Sequence, residues 1–128
     1  RLFIATPVAP SRAFSLATQS LRMTASGVRP APAESWHITL RFLGEVGDLS
    51  GVAAAMHDAL AGSAAIPAIV RGVVAFPQPC ATRVAWAAVD APGLAYVVER
   101  IREATVNIGT PPEISAFVPH ITLARLKH

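Results

Sequence analysis

The tetrapeptide His-Ile-Thr-Leu occurs at residues 37–40 and again at 120–123. Each copy sits in a run, WHITLRFLG or FVPHITLARLK, where β-branched and aromatic residues alternate with polar ones, the pattern of a strand with one buried face. Counting back from the histidines, 35 residues separate Leu2 from His37 and 36 separate Val84 from His120. Leu2 and Val84 both belong to apolar, strand-like stretches. A helix-like stretch and a proline-containing loop then lead to the histidine in each case. The order strand, helix, loop, motif strand is thus met over 1–44 and again over 83–126, and internal duplication is the simplest account.

The local signals are clear. LFIATPV reads as a strand ended by prolines, and Phe14, Ala17, Leu21 and Ala25 recur at helical spacing from a Ser11 cap to Gly27. LSGVAAAMHDALAG reads as a helix closing at Gly62, and IPAIVRGVVAF and TRVAWAAV as adjacent antiparallel strands. From Pro92 the residues Leu94, Val97, Val98, Ile101, Thr105 and Ile108 make a stripe that predicts a helix ending at Gly109. A helix and a strand follow the first motif strand, whereas the chain stops at His128 after the second. Duplication therefore predicts a further C-terminal helix and strand.

Composition narrows the function. At 128 residues, 52% hydrophobic and 15% charged, the chain is sized for one folded domain. No apolar run reaches the roughly 20 residues a bilayer crossing needs, and the start does not read as a leader. The lone Cys80 can form no internal disulfide. These features lead us to expect a soluble, cytoplasmic monomer without a membrane partner. The formal net charge is +3, with no basic block, so affinity for phosphate has to come from a few well-placed groups.

Alternation places His37, Thr39 and Arg41 on one face of their strand and Ile38, Leu40 and Phe42 on the other. His120 and Thr122 share a face in the same way. If both fronts line one cleft, it holds two imidazoles and two hydroxyls. Imidazole titrates near ~6.5 and both takes and gives protons around neutrality, while hydroxyls donate toward an oxyanion. A phosphodiester needs all of these groups.

HITLRFLG and HITLAR, with RLFIA and GVRPAPAESWHITLRFLGEVGDL around them, resemble the paired H-x-T-x motifs of the two-histidine phosphoesterases. The similarity is to the RNA 2′,3′-cyclic phosphodiesterase group, also called 2′-5′ RNA ligases, and spans the whole chain. It implies a duplicated, bilobal α+β fold in one domain over 1–128. Two antiparallel sheets would flank a central cleft with helices outside, and part of the second lobe would lie beyond His128. It further implies hydrolysis of a 2′,3′-cyclic phosphate on RNA or a nucleotide to a 2′-phosphate, with no metal and no cofactor. His120 would accept a proton from water, His37 would donate one to the departing 3′ oxygen, and Thr39 and Thr122 would hold the phosphoryl oxygens. Arg125 and Phe42, each five positions after its histidine, would touch phosphate or base. Strict alternation turns both away, so a bulge or strand end is needed to bring them round. Arg41 shares the histidine face by alternation and is a further substrate-binding candidate. The alternatives are another cyclic phosphate or a 2′-5′ linkage as substrate, or a non-catalytic module that binds RNA ends.

Other residues have ordinary readings. His57 lacks a partner motif and is expected on an exposed helix face, and His128 is terminal. Trp36 and Trp86 read as core before base-stacking groups. Cys80 has no neighbouring base to activate it. No Cys, Asp or Glu stands at metal-ligand spacing from His37 or His120.

Overall fold

A computed structural model of the chain describes residues 1–9, 12–24, 27–76 and 83–126. The elements are β1 (Leu2–Pro7), α1 (Arg12–Thr24), β2 (Val28–Pro30), β3 (His37–Gly44), α2 (Leu49–Leu60), β4 (Ile69–Phe76), β5 (Arg83–Asp90), α3 (Pro92–Ala104) and β6 (His120–Leu126). The fold is α+β, as the sequence implies. The repeated order is present as β1, α1, β3 and as β5, α3, β6. The proline-rich segment, expected as a plain loop, also contains β2 and a 3-10 turn over Ala33–Ser35. Ser11, Cys80 and His128 lie outside the described residues.

Hydrogen bonds order the strands β1-β3-β6-β5-β4, with β2 also on β6. Where separate sheets were expected, the two motif strands are themselves antiparallel neighbours, Ile38 pairing with Ile121. Each thereby supplies partners for backbone groups that the other would leave unpaired at an edge. β6 is the hub. β5 pairs along one side of it, while β3 meets Ile121 and β2 meets Ala124, Arg125 and Leu126.

Packing divides the chain into two compact units, the first comprising Arg1–Ala5, Thr39–Ile69 and Ala91–Pro119. In it α2 packs on α3, and Leu43, Val52, Leu94, Val98 and Ile101 are buried. Asp48 caps α2, its Oδ1 accepting from the Gly51 N–H at 2.9 Å. α3 stops at Ala104, short of the predicted Gly109. Two bonds hold its end: the Thr105 hydroxyl donates to the Ile101 carbonyl at 2.6 Å within the last turn, and Arg41 of β3 binds the Thr105 carbonyl at 3.0 Å. Gly109 then turns the chain at φ +68°, where an added Cβ would run into the Leu43 carbonyl. The next N–H, of Thr110, bonds that same carbonyl at 2.9 Å.

The second unit comprises Thr6–Ile38, Val70–Asp90 and His120–His128. β5 alternates cleanly: Ala85, Ala87 and Val89 are buried, and Val84, Trp86, Ala88 and Asp90 are half-buried. α1 packs on β2 and β6, and its Phe14 meets Trp36 edge-on with ring centres 5.3 Å apart. Trp36 is buried and bonds the Ala31 carbonyl through Nε1 at 3.2 Å, so its core reading holds. Among the described residues no helix is long and apolar enough to cross a membrane.

Candidate active site

The geometry starts from a single register. Ile38 and Ile121 face each other across β3 and β6, both buried. The residues next to this pair, His37 on β3 and His120 and Thr122 on β6, therefore fall on the face opposite the isoleucines, where diagonal neighbours of an antiparallel pair are generally about 7–8 Å apart. All three are half-buried. Thr39, also half-buried, follows His37 on its face of β3. The strand alternation read from the sequence thus assembles both histidines and a threonine within one sheet, without a separate loop to carry them.

The two imidazoles have different surroundings. His37 Nδ1 lies 2.6 Å from the Ser35 carbonyl oxygen. A carbonyl only accepts, so Nδ1 carries the hydrogen in this contact. The 3-10 turn that presents Ser35 is held by the Ser35 N–H and Oγ, both donating to the Pro32 carbonyl. His120 instead meets an aromatic ring: Trp86 lies 4.8 Å away between ring centres, tilted by 54°. Trp86 stands opposite Thr122, and Ala88 opposite His120, so the indole is on the histidine face. Sequence reasoning put Trp86 in the core. In RVAWAAV both parities are apolar, and only pairing with β6 reveals which of them faces the histidines.

Arg125 is brought to that face by a bulge. β5 pairs Val84 with Arg125, Ala85 with Ala124 and Trp86 with Thr122, so β6 has an extra residue between Thr122 and Ala124. Leu123 and Ala124 are both fully buried, and alternation restarts beyond them. Val84, Trp86 and Ala88 share one face of β5, hence so do their partners Arg125, Thr122 and His120. Arg125 is exposed. The strand therefore resolves the conflict between alternation and the family motif.

Arg41 has the opposite fate. It is 5% exposed, and its guanidinium is committed to protein acceptors. Nε donates to the Thr105 hydroxyl at 2.7 Å, Nη1 to the Phe42 carbonyl at 3.2 Å, and Nη2 lies within 3.1 Å of the Thr105, Ile108 and Thr110 carbonyls. Burial, and then the charge of Arg102, lower its pKa from the ordinary arginine value, yet a guanidinium remains a cation near neutrality. Phe42 is 42% exposed, with the Arg1 guanidinium 5.2 Å above its ring. Both residues belong to the first unit, whereas the two histidines belong to the second. His57 is exposed on α2, as expected. Among the described residues no three His, Cys, Asp or Glu side chains are grouped to hold a metal ion.

Residues 8–128 match the family model of the 2′-5′ RNA ligase superfamily. The chain belongs to this superfamily. Within it, the chain is 39% identical over 114 residues to an RNA 2′,3′-cyclic phosphodiesterase of Aeropyrum pernix, covering 84% of this chain and 62% of that protein. It is 32% identical over 111 residues to one from Methanothermobacter thermautotrophicus, covering 84% and 60%. The chain thus spans about three fifths of these relatives' length. The crystal structure of TT0787 of Thermus thermophilus superposes with a TM-score of 0.81 at 32% identity, covering 98% of this chain and 74% of that one. E. coli LigT in apo form gives 0.63 at 26% identity, covering 98% and 72%.

Proposed function

We propose that this superfamily member hydrolyses 2′,3′-cyclic phosphate ends of RNA to 2′-phosphates by acid–base catalysis between His37 and His120. The observation that supports this reading is the Ile38–Ile121 register, because the residues flanking that pair are His37 on one strand and His120 and Thr122 on the other. His120 takes a proton from water as the water oxygen bonds to phosphorus. The bond to the 3′ oxygen breaks, and His37 supplies its Nε2 proton to that oxygen. The products are a 2′-phosphate and a 3′-hydroxyl, and proton exchange with solvent resets the pair. Thr39 and Thr122 hydroxyls donate to the phosphoryl oxygens as charge builds up on them. With the 5′-hydroxyl of a second RNA in place of water, the same steps leave a 2′-5′ linkage.

Trp86 is a positioning residue in this scheme, packing against His120 so that the imidazole holds one orientation. Arg125, on the same face, contributes a cation to binding of the RNA substrate.

Phosphorus NMR of nucleoside 2′,3′-cyclic phosphates incubated with the protein and EDTA tests the reaction. A 2′-phosphate is expected, with turnover lowered by about 10²–10⁴-fold in His37→Ala and in His120→Ala while folding is kept. A 3′-phosphate would overturn the leaving-group assignment. Full activity in either variant would remove the mechanism, and binding without turnover would indicate an RNA-end binding module.

A further inference from the structure

The pairing of β2 with β6 sets Arg29 directly across from Arg125. Directly opposite residues in an antiparallel pair share a face and have Cβ atoms about 4.5–5.5 Å apart. Since the β6 bulge turns Arg125 to the histidine face, it carries Arg29 there as well. Both arginines are exposed, and among the described residues no carboxylate pairs with either. Like charges placed directly opposite are destabilising, and Arg29 and Arg125 stand in that relation across the ladder.

Their place on the sheet is fixed by β5. Val84, opposite Arg125, is two residues from Trp86, opposite Thr122, and so about 7 Å along the strand. The arginine row is therefore one step beyond Thr122, on the side away from His120. A cyclic phosphodiester has a single negative charge and two non-bridging oxygens, which the threonine hydroxyls and the histidine pair already address. Two guanidiniums, each with five N–H donors, have capacity for more than that group can use.

We infer that Arg29 and Arg125 together form a second anion site that takes a backbone phosphate of the RNA strand, 5′ of the cyclic end. This deepens the proposed function and rests on it, by making the preferred substrate a polynucleotide. Arg29 is the residue that the motif does not predict, because it lies in a three-residue strand that only its partner β6 defines.

The test measures binding to product-like probes, which needs no turnover. Wild type, Arg29→Ala and Arg29→Lys are titrated with a short RNA ending in a 2′-phosphate and with a nucleoside 2′-phosphate, at several salt concentrations. Arg29→Ala is expected to weaken RNA binding about tenfold and lower the slope of log affinity against log salt by about 0.7, the value for one single-strand phosphate contact. Arg29→Lys should keep most of the slope, and the mononucleotide affinity should change less than twofold. The melting temperature of Arg29→Ala should not fall, since a repulsion has been removed. Equal losses on both probes would assign Arg29 to the terminal phosphate, and unchanged RNA binding would leave it without a ligand; either overturns the inference. A 3′-phosphate product, or active histidine variants, would overturn the reaction scheme while leaving the salt slope intact, so the two failures are distinguishable.

Discussion

β3 and β6 open on the same four residues and each carries an arginine just beyond them, yet the two arginines do opposite things. Arg41, four positions after His37, is buried and bonded to the turn that follows α3. Arg125, five positions after His120, is exposed on the face of the catalytic candidates. By alternation alone the assignments would be reversed. One extra residue in β6 turns Arg125 round. On β3, burial passes from the even positions Ile38 and Leu40 to the odd positions Arg41 and Leu43, and the helix end supplies carbonyls for the guanidinium. Identical motifs can thus continue into an exposed cation or into a structural clamp, depending on which backbone acceptors lie within reach.

The sharpest way to break this contrast is Arg41→Ala. It leaves the Thr105, Ile108 and Thr110 carbonyls without their cation, and chemical denaturation should show a loss of about 3–5 kcal/mol. Arg41→Lys should recover little of it, since one ammonium cannot match the planar fork. A stability within about 1 kcal/mol of wild type would mean that the clamp is dispensable. Gly109→Ala attacks the same turn from its other side. The positive φ and the Leu43 carbonyl predict a loss of about 2 kcal/mol, and a neutral result would show that the turn can relax.

On β6 the expected effects move from stability to activity. Trp86→Ala should lower kcat about tenfold, equivalent to about 1.4 kcal/mol, while KM changes less than about twofold. Trp86→Phe, which restores an aromatic ring, should recover most of the rate. A lower melting temperature with an unchanged kcat would reduce Trp86 to packing alone. Smallest of all in stability is Arg125→Ala, expected within about 0.5 kcal/mol of wild type because the side chain is exposed. Its cost should appear as weakened RNA binding, and a large loss of stability would erase its difference from Arg41.

Much of the architecture was legible in the chain. Strand periodicity located β3, β5 and β6, the stripe from Leu94 to Ile101 located α3, and two H-x-T motifs supplied both histidines and both threonines. These are local properties, set by the two-residue repeat of a strand and the 3.6-residue turn of a helix. What escaped depends on partners distant in sequence. β2 exists because β6 offers it a ladder, α3 ends where Arg41 takes the carbonyl of Thr105 just past the last helical residue, and Trp86 faces His120 because of a cross-strand register. The bulge belongs to the same class, since a shift of one residue is invisible until the neighbouring strand is present to count against. Composition and periodicity thus specified the elements and the candidate side chains. Pairing between strands decided which arginine shares a face with the histidines, because face and register are properties of a pair and not of one strand.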